Sequence, residues 1–189
     1  MTVIYGNCGD MDTSLLPNIW EGFEGVNVVE IGKMDFDYNE KVAKAIADED
    51  DTLIICGHGS KYGLLHPNFY TGRYIIHENN YRGIHAKKLI CIWCHASEFA
   101  EMYHVNGFFS SMFISNIDEA HTYGFHNTPE MDIEVSECAF CKRINALLKD
   151  NVPLEEWVTR LNNKLNESNE VEKYNYNGLK FYKDYEASI

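Results

Sequence analysis

The chain has 189 residues, of which 45% are hydrophobic and 24% are charged. This length supports one domain with its own hydrophobic core, and the composition excludes a disordered chain, a collagen and a coiled coil. The net charge of −13 makes nucleic acid and an anionic membrane surface unexpected partners. We therefore expect one globular domain over residues 1–189.

The sequence carries no pattern of export or of membrane insertion. Residues 1–30 lack a basic start followed by a long apolar segment, and no run reaches the ~18 apolar residues of a membrane span. The six cysteines are too few for a disulfide scaffold, and two of them lie inside apolar runs. We expect reduced thiols and a cytoplasmic protein.

Short apolar runs alternate with segments of helical spacing, which predicts an α/β fold with a mostly parallel central sheet sandwiched by helices. Predicted strands occupy residues 2–6, 26–32, 51–56, 87–93 and 109–115. The runs that end at Cys56 and Trp93 are continuously apolar, which is typical of central strands covered on both faces.

Predicted helices follow the strands. Their ranges are 37–48, 97–104 with Ser97 as its cap, 128–149 with Thr128 as its cap and Pro129 as its first residue, and 154–166. Residues 174–182 (YNYNGLKFY) are predicted to form a closing hairpin or an edge strand.

Two reactive side chains follow the two central strands. His58 comes just after the run LIIC, and Cys94 comes just after the run LICIW. Because the carboxyl ends of parallel strands open onto one edge of a sheet, we expect both side chains there. A Cys beside a His forms a nucleophile near neutral pH, and the N–H groups of Gly59 and Cys94 are candidate donors to an oxyanion. Trp93 should point to the opposite face from Cys94, since successive strand residues alternate.

The segments LIICGHGS (53–60) and LICIWCHA (89–96) resemble the caspase-like cysteine peptidases, a group that includes legumains, gingipains and clostripain-type enzymes. In that group a strand ending in His-Gly precedes a strand ending in the nucleophilic Cys. The resemblance covers roughly residues 50–120. It implies a caspase-like (caspase-hemoglobinase) fold, Cys94 as nucleophile, His58 as base and a peptide or protein substrate. We expect no metal and no organic cofactor.

The residues before Cys94 depart from the family pattern. Those enzymes commonly carry a small residue just before the Cys and a polar one before that, whereas this chain has Ile92 and Trp93. Ile92, at the position that often lines the pocket for the substrate's P1 side chain, brings no charge. Asp118 and Glu119 are the acidic candidates for pairing with a basic P1 residue. A catalytically weak or inactive caspase-like scaffold is the alternative that this departure favours.

Two CxxC pairs raise a third alternative, a small zinc-binding domain. Cys91 with Cys94 and Cys138 with Cys141 match a four-cysteine zinc pattern in number. Residues three apart on a strand face opposite sides, and the second pair lies on a predicted helix. These positions argue against convergence of the four sulfur atoms, so we predict no metal site from them.

Overall fold

Strands form the centre of the structure, a computed structural model that describes residues 1–184. Within that range nine strands occur, which are β1 (Thr2–Gly6), β2 (Asn27–Ile31), β3 (Thr52–Cys56), β4 (Gly59–Ser60), β5 (Gly63–Leu65), β6 (Tyr74–Ile76), β7 (Lys88–Ile92), β8 (Gly107–Phe109) and β9 (Lys180–Tyr182). The helices within the same range are α1 (Met11–Ser14), α2 (Tyr38–Asp48), α3 (Ala96–Tyr103), α4 (Ile117–Thr122), α5 (Glu130–Lys149), α6 (Trp157–Asn162) and α7 (Glu170–Asn177).

The central sheet has six strands among the described residues, in the order β2-β1-β3-β7-β8-β9. All pairings in it are parallel except that of β9, which runs antiparallel to β8. The predicted strands at 2–6, 26–32, 51–56 and 87–93 are confirmed, and β3 lies beside β7 in parallel. A smaller antiparallel sheet of β4, β5 and β6 follows β3 directly.

The central strands bury both of their faces, which explains their continuously apolar sequences. In β3, Ile54 and Cys56 pack into the core cluster that holds Phe140 of α5 and Trp157 of α6. The alternate residues of β3 pack into the second cluster, which contains residues of α2 and α3. The fold is therefore α/β, with a mostly parallel sheet between two helical layers.

The predicted strand at 109–115 is wrong beyond its first residue, since β8 spans Gly107–Phe109. Ser110 leaves the strand pattern because its hydroxyl donates to the carbonyl of Trp93 (2.9 Å) and accepts from the Trp93 amide (3.1 Å). The next carbonyl, on Ser111, accepts from the amide of His95. Hydrogen bonds to the β7–α3 turn thus replace the ladder that the apolar pattern predicted.

Helix boundaries differ from the predictions at their starts. α3 begins at Ala96 with His95 in the cap position, while the predicted cap Ser97 lies inside the helix and donates its amide to the Ser110 carbonyl. α5 begins at Glu130, so that Pro129, not Thr128, occupies the cap position.

The end of the chain also differs from its prediction. Residues 154–166 contain a 3-10 turn at Leu154–Glu156 followed by the short α6. Residues 174–177 belong to α7, and only Lys180–Tyr182 forms the expected edge strand. No helix within residues 1–184 is long and apolar enough to cross a membrane.

A glycine at position 59 allows the smaller sheet to pack against the β7–α3 turn. A Cβ atom at Gly59 would lie 2.8 Å from the Gly63 carbonyl oxygen and still closer to the Trp93 indole. We expect Gly59→Ala to lower the free energy of unfolding by about 1–3 kcal/mol, as overpacking does. Urea denaturation measures this loss. Gly32→Ala is the control because a Cβ there meets no atom within 4 Å, and equal stabilities of the two variants would contradict the prediction.

Candidate functional site

His58 and Cys94 meet at one edge of the central sheet. His58 lies in the turn after β3 and Cys94 in the turn after β7, and the Gly57 amide donates to the Ile92 carbonyl (3.1 Å) to join the two turns. The side chains of His58 and Cys94 line one small cavity of about 30 Å³, together with Ile92. The pairing of β3 with β7 therefore brings the two predicted residues and the predicted pocket residue to one place.

The turn after β7 separates Trp93 from Cys94. Trp93 is buried against Phe99 of α3, at 5.6 Å between ring centroids, and its indole N–H donates to the Ser60 carbonyl (3.1 Å). Cys94 packs against the core cluster on the other face of the sheet. His95, with a left-handed φ of 68°, completes the turn into α3. Trp93 therefore borders the cavity beside Cys94, but its ring packs against Phe99 on the opposite face of the sheet.

The Cys94 thiol is half-buried and donates to the Phe113 carbonyl at 3.5 Å. Burial raises the pKa of this thiol to about 12, and the nearby carboxylates of Glu119 and Asp12 act in the same direction. The cysteine is therefore protonated at neutral pH in this arrangement, and a base is needed to produce the thiolate.

A carboxylate fixes the orientation of His58. Its Nε2 lies 2.9 Å from Oδ2 of Asp10, in the loop after β1. The other carboxylate oxygen of Asp10 accepts from the Thr13 amide (3.0 Å) and hydroxyl (2.7 Å). Burial by itself raises the pKa of Asp10, but the hydrogen bonds from Thr13 and His58 outweigh it and lower that pKa. Because the Nε2–H group donates to the ionised carboxylate of Asp10, Nδ1 is the ring nitrogen that can accept a proton.

Sequence reasoning missed Asp10, although a signal for its position was present. The turn-rich stretch NCGDMD follows the first predicted strand, so its carboxylates lie at the carboxyl end of β1. Since β1 neighbours β3 in the sheet, that end lies beside His58. Strand order was the missing information, because the sequence pattern does not say which strand neighbours β3.

The two candidate oxyanion donors are placed differently. The Cys94 amide makes no hydrogen bond to another residue within 1–184, while the amides of Trp93 and His95 on either side are both bonded. Gly59 packs against the indole of Trp93, and Gly57, not Gly59, lines the cavity.

The predicted acidic pocket residues lie outside the cavity. Asp118 is exposed in the first turn of α4, and Glu119 accepts from the amide (2.9 Å) and hydroxyl (3.3 Å) of Ser115. The carboxylates that line the cavity are Asp12 and Glu137.

Glu137 of α5 is a buried carboxyl group without a partner. Its side chain is 3% exposed, borders the cavity beside Cys94, and makes no hydrogen bond or ion pair with any residue in 1–184. Burial, followed by repulsion from Asp12 and Glu119, raises its pKa to about 8. The sequence did not indicate that Glu137 is buried beside the cavity, because its position there is that of one more acidic residue in a charged helix.

Cys8 lies beside His58 and Asp10. One ligand atom from each of the three residues lies within 4.8 Å of the other two, and this is the only such group of three or more metal-ligating side chains within residues 1–184. The four cysteines of the CxxC pairs do not converge into such a group in that range. Cys91 and Cys94 pack into core clusters on opposite faces of the sheet.

Comparison with models of protein families, with curated proteins and with solved structures finds no match to this chain.

The buried Glu137 should make stability depend on pH. Its pKa is near 4.3 in an unfolded chain and about 8 in the fold, so the unfolded chain binds fewer protons between these values. The free energy of unfolding should therefore fall as pH rises through this window, by on the order of 5 kcal/mol.

Glu137→Gln removes that titration, so the variant should gain stability over the parent chain at pH 9 and much less at pH 5. Urea denaturation at both values measures the difference. The matched control is Glu134→Gln, which alters an exposed carboxylate of the same helix. A pH dependence that Glu137→Gln leaves unchanged would contradict the assignment.

Proposed function

We propose that this chain is a caspase-like cysteine peptidase in which Cys94 is the nucleophile and His58 is the base. One observation carries the proposal. The two side chains follow adjacent parallel strands and line one cavity, and the carboxylate of Asp10 orients the imidazole. A nucleophile, a base and a group that orients the base form the minimal constellation for acyl transfer.

The reaction follows from these positions. Nδ1 of His58 takes the proton of the Cys94 thiol, and the thiolate attacks the substrate carbonyl carbon. Asp10 stabilises the imidazolium that forms, and the Cys94 amide donates to the developing oxyanion. The C–N bond breaks as His58 returns the proton to the leaving amine. Water then attacks the thioester and releases the acid, and the thiol is restored.

The site must open before a substrate binds. A cavity of about 30 Å³ has room for little more than a water molecule, and the Cys94 thiol is engaged with the Phe113 carbonyl. The same closure favours the alternative function, a caspase-like scaffold without activity. Reactivity of Cys94 distinguishes the two, because only the peptidase needs a thiolate.

Alkylation of Cys94 should depend on His58. With a pKa of about 12, the thiol is almost wholly protonated at pH 7.5 unless a base removes the proton. We expect iodoacetamide to modify Cys94 faster than the buried Cys56 and Cys91. His58→Ala should lower the rate of alkylation of Cys94 at least 10-fold. Peptide mass spectrometry at successive times measures the alkylated fraction of each cysteine.

Cys138, half-buried on α5 and outside the cavity, is the internal control, and its rate should not change in the His58→Ala protein. A Cys94 rate that His58→Ala does not alter would remove the dyad and leave the scaffold alternative.

The substrate class follows from the carboxylates of the cavity. An unpaired carboxyl group that is almost fully buried is costly, and a cation that occupies the cavity compensates it. Glu137 and Asp12 both line the cavity that contains Cys94, on a chain with a net charge of −13. We therefore propose that the enzyme prefers lysine or arginine at P1, with Glu137 as the paired carboxylate in place of Asp118 or Glu119.

A series of fluorogenic peptides that differ only at P1 tests this preference. Glu137→Gln should lower kcat/KM for lysine and arginine peptides by roughly 10–100-fold, the cost of losing a charged hydrogen bond, and change the leucine peptide little. For the parent chain, cleavage of basic peptides should rise as pH passes the pKa of Glu137, about 8.

Asp118→Asn is the matched control because that carboxylate is exposed and outside the cavity. Equal losses for basic and neutral peptides in the Glu137→Gln protein would mean that Glu137 does not select the substrate. Cys94→Ala should abolish cleavage of every peptide in the series.

A further inference from the structure

We infer that Cys8, Asp10 and His58 bind a zinc ion, and that this ion switches off His58 as a base. The binding site stands on geometry alone, whereas the loss of the base rests on the proposed peptidase function. None of the three ligands is one of the four CxxC cysteines, which include the candidate nucleophile Cys94.

The spacing of the three residues is close to that of a zinc site. Their ligand atoms lie within 4.8 Å of one another, and the His58 and Asp10 atoms are 2.9 Å apart. Bonds of about 2.0–2.3 Å in a tetrahedron place ligand atoms about 3.3–3.6 Å apart. A modest inward movement of Cys8 and a slight opening of the Asp10–His58 contact would therefore place the three ligand atoms at three corners of a tetrahedron around the ion. A water molecule would occupy the fourth corner.

The donor set selects the kind of metal. A sulfur, an imidazole nitrogen and one carboxylate oxygen suit zinc, whereas calcium and magnesium prefer oxygen ligands. The thiolate of Cys8 and the carboxylate of Asp10 balance the double positive charge of the ion. The side chains of Asp10 and His58 are partly exposed, which gives the ion a route from solvent.

The loop that carries the first two ligands is held at both ends. The Asn7 amide donates to the Ile31 carbonyl (2.9 Å), and Gly9, with a φ of 62°, turns the chain between Cys8 and Asp10. At the other end Asp10 caps α1 through Thr13, with its second oxygen directed at His58. Hydrogen bonds of this kind orient a ligand and raise metal affinity.

Zinc on Nε2 removes the basic nitrogen of His58. As the ion binds, the thiol proton of Cys8 passes to solvent, and the imidazole hydrogen must reside on Nδ1 because Nε2 now donates its electron pair to the metal. Nδ1–H cannot accept the proton of Cys94. Zinc at this position therefore prevents thiolate formation without contact between the metal and the nucleophile.

The test uses the full chain, stripped of metal with a chelator and then dialysed. Zinc chloride is titrated in competition with a chromophoric chelator, and we expect one ion per chain in the parent protein. Cys8→Ala and Asp10→Asn should each weaken binding at least 10-fold. Cys138→Ala should bind as the parent does. Cobalt adds a second readout, since a thiolate-to-cobalt absorption should appear in the parent and be missing in Cys8→Ala.

Thermal unfolding without metal checks that each variant is folded, and the two ligand variants are independent tests should one of them fail to fold. The site is overturned when no ion binds the parent chain, or when binding is unchanged in the folded ligand variants.

A separate measurement addresses the switch. One equivalent of zinc should slow alkylation of Cys94 at least 10-fold in the parent and have no effect in Cys8→Ala. Tight zinc binding with an unchanged rate at Cys94 would uphold the metal site and overturn its control of His58. Alkylation of Cys94 that is insensitive to His58→Ala without metal would instead overturn the proposed dyad.

Discussion

The parallel pairing of β3 with β7 is the contact on which the rest of the structure depends. Its register runs from Thr52 opposite Lys88 to Cys56 opposite Ile92, so both strands end at the same level. The turns that follow carry His58 and Cys94, and the bond from the Gly57 amide to the Ile92 carbonyl extends the pairing by one step. The two side chains thus reach one cavity because the backbone places them there, without a direct bond between them.

Trp93 shows how a residue beside the site acts through packing. As a residue just before the candidate nucleophile it departs from the pattern of small residues there, and it could crowd a substrate. Its ring instead lies on the opposite face from Cys94, against Phe99. The indole also covers Gly59 and bonds to the Ser60 carbonyl, which ties the smaller sheet to the turn after β7. The bulky side chain therefore stabilises the turn that presents Cys94.

Asp10 and Glu137, two carboxyl groups beside the candidate dyad, differ in hydrogen bonding and in the direction of their pKa shifts. Asp10 accepts hydrogen bonds on both oxygens, from Thr13 and from His58, and its pKa is lowered despite burial. Glu137 has no partner among the described residues, and burial raises its pKa. A satisfied carboxylate is suited to holding an imidazole in place. An unsatisfied one weakens the free protein and gains from a cation, which is why Glu137 is the group we assign to substrate selection.

Local pattern was enough to find four of the five parallel strands and to place His58 and Cys94 at one edge, because continuous apolar runs mark buried strands and parallel strands end together. The same pattern failed after Phe109, where two hydrogen bonds between the Ser110 hydroxyl and the backbone of Trp93 end the strand.

What the sequence by itself determined was the α/β class and the two residues that follow the central strands. Only the tertiary structure brought Cys8 and Asp10 from the loop after β1, and Glu137 from α5, to that same edge. Their arrival depends on which strand neighbours β3 and on which turn of a helix packs over the sheet. Both are decided by contacts between residues far apart in the chain, and no local periodicity encodes them.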